Sequence, residues 1–197
     1  AGSELLQERV KTPLMVWPAT LIDSTDCELP EQRAELYNAY TEVLLGERLK
    51  EEEGAEAAKM LREDRWPKND RRLYLTYAAF KAHQAAAEQQ MAGKKRERAV
   101  VVVNEHDLAG AILAPFLESY LSMPLPKARD EARAFIQVMA ERSGILQAQP
   151  GGYSFGDHLT VQEFLAASYR VDNLRADPDR RAAYLAFLRE RAGQSWW

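Results

Sequence analysis

Apolar residues recur at helical spacing through most of this chain and switch to alternation only briefly, in its last third. Leu36, Tyr40, Val43 and Leu44 fall at i, i+4, i+7 and i+8, one buried stripe of a helix that Pro30 begins. Leu73, Tyr77 and Phe80 repeat that spacing in a second helix, which Asn69 or Asp70 can cap. Val100 to Val103 then place four β-branched residues in a row, favouring a short buried strand. Asn104 with Asp107 starts a helix through Leu108 and Ile112, and Pro115 must kink it or begin another. A helix over about 128–142 carries Ala132, Phe135, Ile136 and Met139 on one face. Gly144 suits the left-handed position just past its end.

Alternation takes over next. Leu146 and Ala148 alternate with Gln147 and Gln149, Tyr153 and Phe155 flank Ser154, and Pro150-Gly151-Gly152 supplies the turn. Thr160-Val161-Gln162-Glu163 has capping-box form and opens a helix over 161–171. Asp177-Pro178 opens a last amphipathic helix with Tyr184, Phe187 and Leu188 facing inward.

Helix, strand, helix, helix, strand, turn, strand is the order of a winged helix. The expected fold is mainly α: a helical domain at 4–66, then a winged-helix domain at 67–171 with a small β-hairpin or three-stranded sheet. A further helical region starts at 172–197. Trp66-Pro67 marks the boundary, because the residue before proline is pushed out of helical conformation. Within the apolar segment 4–22, Pro13 suits the first turn of a helix, where its missing N–H costs nothing.

Bulk properties narrow the function. The 197 residues can hold one core or two small ones. A net charge of −4 argues against a generic nucleic-acid binder. The single cysteine, Cys27, excludes an internal disulfide and suits a reducing, cytoplasmic setting. No apolar run approaches the ~18 residues of a membrane span, and no signal peptide is visible. Ala1-Gly2-Ser3 and the terminal Trp196-Trp197 lead us to expect a fragment of a longer protein.

Catalytic chemistry finds no footing. A phosphate-binding P-loop needs two glycines, a lysine and a hydroxyl at fixed spacing. Gly93-Lys94 is the one Gly-Lys pair, but Lys95 follows it and Glu88 stands where the first glycine belongs. His83, His106 and Cys27 have no partners at metal-ligand spacing, so neither a catalytic residue nor a metal ligand is expected. The chain by itself reads as a non-enzyme.

One histidine stands apart. His158 lies two residues ahead of Thr160, beside a helix N-terminus whose free N–H groups and dipole favour an anion such as phosphate. Spacing alone leaves a second reading open, a polar residue hydrogen-bonded locally in a tight turn.

Three stretches together resemble a known family. They are Ser143-Gly144-Ile145-Leu146 with Tyr153 and Phe155, then HLTVQEFLAA at 158–167, and upstream TPLM at 12–15 with LPEQRAELYNAYTEVLL at 29–45. The pattern is similar to the helical and winged-helix parts that follow the ATPase core in NACHT-type STAND NTPases, without the P-loop core itself. The resemblance implies that His158 reaches the β-phosphate of ADP and that Pro13 packs on the adenine. A charge-assisted histidine–phosphate bond is worth about 1.5–3 kcal/mol. It further implies a regulatory module that closes on ADP and opens on ATP exchange to permit oligomerisation, in immune, anti-phage or other signalling. The implied partners are the parent's own P-loop core and other copies of the parent. No cofactor belongs to this chain alone; ADP or ATP with magnesium is expected in the intact protein.

Two other classes remain open. A winged-helix nucleic-acid binder would read with the 128–142 helix, where Arg129, Arg133 and Arg142 sit among Asp130, Glu131 and Glu141. That mixture neutralises phosphate poorly. A helical scaffold for protein contacts is the third.

Overall fold

The computed structural model describes residues 33–46, 65–91, 101–156, 159–175 and 178–191. The segment 4–22 with Pro13, the residues Cys27 and Pro30, the Glu51–Glu53 and Lys94–Arg98 runs, and His158 lie outside these described residues.

Helix α1 spans Arg33–Gly46 and turns Leu36, Tyr40, Val43 and Leu44 inward, the stripe that the spacing predicts. Helix α2, Lys68–Met91, is the long spine. It starts ahead of the expected caps, because the Pro67 carbonyl already accepts the Arg71 N–H at 3.0 Å. Asp70 is therefore inside the first turn and accepts the Tyr120 hydroxyl at 3.1 Å instead. Its most deeply buried face carries Tyr74, Leu75, Ala78, Ala79 and Ala82, whereas Leu73 and Tyr77 pack half-buried at its margin. The inside of α2 is thus shared by two large residues, Tyr74 and Leu75, and three alanines that let neighbouring helices come close.

Val101 is buried, Val102 exposed and Val103 half-buried, the alternation of an extended chain. Of the described valines only Val103 pairs, exchanging two backbone hydrogen bonds with Tyr153 at 2.9 and 2.8 Å. Asn104 then caps the next helix, its side-chain oxygen accepting the Asp107 N–H at 2.8 Å, so pairing stops there. That helix opens as a π-helical segment, His106–Leu113, and continues as α3, Ala114–Leu121. The Ala114 N–H reaches Ala109, five residues back. Widened turns spare Pro115 the clash its ring makes with the carbonyl four residues earlier in a regular helix. Of the two outcomes open to Pro115, a kink or a new helix, the second is found: it stands in the first turn of α3.

Ser122 closes α3 in left-handed conformation with φ 51, and the Met123 N–H turns back to the Glu118 carbonyl at 3.2 Å. Helix α4 spans Leu125–Arg142, starting before the expected residue 128 because Pro126 is harmless in a first turn. Ala132, Phe135, Ile136 and Met139 are all buried on its inner face. The hairpin pairs β1, Leu146–Gln149, antiparallel with β2, Gly152–Phe155, putting Leu146 opposite Phe155 in the core. Val103 extends it to a minimal third strand.

Helix α5, Leu159–Arg175, packs chiefly against α2, and α6, Pro178–Arg191, packs on α5. Helix α5 runs past the expected end at 171, through Arg175. A single apolar cluster runs from Leu36 and Tyr40 through Tyr74, Leu117 and Phe135 to Val161 and Leu165. Tyr74 is its hub, with edge-on contacts to Phe116, Tyr120 and Phe135 at 5.3–6.0 Å. Each such pair adds about 0.5–1.5 kcal/mol beyond burial. Trp66 belongs to the same cluster, edge-on to Phe135 at 5.6 Å.

Candidate functional site

The wing ends and α5 begins within a few residues, and close packing fixes how one leads into the other. Gly152, at the start of β2, lies against the strand across from it. A β-carbon there would stand 2.1 Å from the Val103 carbonyl oxygen, so only glycine permits the Val103–Tyr153 bridge. At the far end of β2 the Gly156 N–H donates to the Ile145 carbonyl at 2.6 Å. Gly156 is left-handed, φ +73, and a β-carbon on it would meet the Val161 side chain at 3.0–3.2 Å. The chain turns here with its backbone pressed against the first turn of α5.

Polar groups under this turn are nearly all satisfied. Buried Ser143 donates its hydroxyl to the Met139 carbonyl at 2.7 Å and accepts the Ile145 N–H at 3.2 Å. It thereby joins the end of α4 to the start of the wing. Ser154 is also fully buried and donates to the Gly156 carbonyl at 3.4 Å. Burial, together with the carboxylates of Glu105 and Glu141, raises the Tyr153 phenol above its ordinary value.

Gln162 is the exception. It is fully buried, and neither its amide nitrogen nor its oxygen has a hydrogen-bond partner among the described residues. An unpaired buried amide costs about 1–3 kcal/mol. Reading residues 160–163 as a capping box hides this residue among cap positions. The structure corrects that reading: Leu159 is already helical, so Thr160 lies inside the first turn and Glu163 is exposed. Spacing carried the better signal, because Gln162, Leu165, Ala166 and Tyr169 share one stripe at i, i+3, i+4 and i+7.

Of the two residues assigned to nucleotide, both His158 and Pro13 lie outside the described residues. The structure does give the flanks of His158: Gly156 on one side and Leu159, the first residue of α5, on the other. His83 is half-buried on α2 and His106 exposed at the start of the π-helical segment. Among the described residues, no three His, Cys, Asp or Glu side chains converge as a metal site would need. No single helix among them is long and apolar enough to cross a membrane.

Comparison with protein families matches residues 33–169, from the start of α1 to Tyr169 in α5, to the winged helix-turn-helix domain C-terminal to NACHT. Comparison with curated proteins and with solved structures finds no match.

Proposed function

Since the chain belongs to the family of winged helix-turn-helix domains that lie C-terminal to NACHT, we propose that it is the regulatory part of a NACHT signalling NTPase. In this reading it closes over ADP held by the parent's P-loop core and swings away when ATP replaces ADP. The opened form then oligomerises, and the setting is cytoplasmic signalling, in innate immunity or anti-phage defence. His158 contacts the β-phosphate and Pro13 the adenine. Segments 4–66 and 67–171 act as the helical and winged-helix parts, and 172–197 begins a further helical region.

One observation supports the latch most directly. In sequence His158 falls in the short connection between the left-handed Gly156 turn and the first residue of α5. Both flanks are anchored in packed structure, which suits a side chain that must meet a phosphate at fixed geometry. A contact of that kind biases a closed-to-open equilibrium by its differential free energy.

The test uses the intact parent. His158→Leu is expected to speed ADP release and raise signalling without a trigger. Retention of ADP and resting output equal to the unaltered protein would overturn the assignment. The isolated chain is expected to bind ATP more weakly than about 1 μM, because most phosphate contacts belong to the P-loop core.

A further inference from the structure

The π-helical segment and α4 line an open cleft of about 490 Å³. Its floor is Ala109, Gly110 and Ala111, and around it stand His106 and two cations, Arg129 and Arg133. Gly110 faces open space, its nearest neighbour being His106 Cε1 at 3.9 Å from where a β-carbon would stand.

The rim is unusually available. Arg129 and Arg133 are one turn apart on α4, so both guanidinium groups project from one side. Arg129 has no hydrogen bond or ion pair among the described residues. Arg133 meets Asp130 at 3.7 Å with side chains 59% and 80% exposed, a pairing that is readily exchanged. Arg65, by contrast, is committed to Glu131 at 2.9 Å.

We propose that this cleft docks a short acidic segment of a partner protein. An apolar side chain rests on the alanine–glycine floor while carboxylates take the forks of Arg129 and Arg133. Glu105, also on the rim, opposes a uniformly anionic ligand such as a phosphodiester backbone. The wing reinforces that choice. Its exposed tip, Ala148 to Gly151, holds no cation, so a nucleic acid crossing the cleft would find only a few phosphate contacts. The assignment is independent of the nucleotide reading, and either can fail alone.

The experiment measures anisotropy of a fluorescein-labelled peptide of alternating glutamate and leucine, titrated with the 197-residue chain. Saturable binding is expected, weakened about tenfold by Arg129→Glu or Arg133→Glu. The same charge change at exposed Lys127, outside the cleft, should leave binding within about twofold. Circular dichroism checks that each variant is folded. A glutamine–leucine peptide binding equally well would overturn the proposal. So would no saturation below about 1 mM, indifference to both arginine changes, or tighter arginine-dependent binding of a short DNA duplex.

Discussion

Trp66 donates its indole N–H to Glu131 at 2.7 Å, joining the residue just ahead of α2 to the middle of α4 across 65 positions of sequence. Arg65 holds the same carboxylate at 2.9 Å and lies over the Trp66 ring at 4.6 Å. The expected boundary at Trp66-Pro67 is thus also a point where the chain enters the core: Trp66 is only 5% exposed. Motion of the segment ahead of α2 relative to the wing has to originate before Trp66 or break this contact.

Removing the acceptor keeps the ring but breaks both the indole bond and the exposed Arg65 ion pair. Glu131→Ala should lower unfolding stability by about 1–3 kcal/mol, leaving a part-buried indole N–H unpaired. Trp66→Ala, which also empties core volume, should cost about 3–5 kcal/mol. Urea denaturation followed by circular dichroism reads both, and equal losses would mean that the ring contributes nothing beyond its donor.

The turn leaving the wing gives a sharper test. Gly156→Ala should destabilise by about 1–3 kcal/mol, from the left-handed backbone and the contact with Val161. Val161→Ala in that background should cost less than it does alone, because it relieves the contact. A double-mutant cycle measures the coupling, and strict additivity would show that backbone strain is the whole effect.

Acid should loosen the union of α1 and α2. Burial pushes the Glu42 carboxyl up, but hydrogen bonds from Lys68, at 2.7 Å, and from Arg72, with both positive charges, hold it below its ordinary 4.5. A carboxyl lowered on folding contributes stability above its unfolded-state value and loses it as pH falls through the lowered one. The denaturation midpoint should therefore drop on acidification, and Glu42→Gln should lower it at neutral pH and flatten the acid limb. An unchanged acid limb in that variant would assign the sensitivity to other carboxylates.

Element order was legible because core periodicity and turn chemistry agree through most of the chain. Ala132, Phe135, Ile136 and Met139 fall inside as their spacing requires, and Gly144 is left-handed at φ 67 as a helix stop should be. Less was readable where backbone geometry is set by neighbours. Pro115 signals trouble in a helix, but nothing in its sequence says that the preceding turns will widen. Four consecutive valines promise a strand, yet pairing narrows to Val103 because Asn104 is taken up by the following helix. On α2 the expected stripe was Leu73, Tyr77 and Phe80, whereas Tyr74, Leu75 and three alanines lie deepest. At the candidate nucleotide site, the resemblance named His158 and Pro13, while the packed glycine turn and the buried amide beside it emerge only from the folded chain.

That amide has a thermodynamic corollary. Most of the core loses favourable contacts whenever a helix separates from it, but Gln162 would regain full hydration. Rehydration worth about 1–3 kcal/mol offsets part of the work of lifting α5 away from α2. The helix next after the wing is held a little less firmly than its packing area implies, a bias toward partial opening that resides in one side chain.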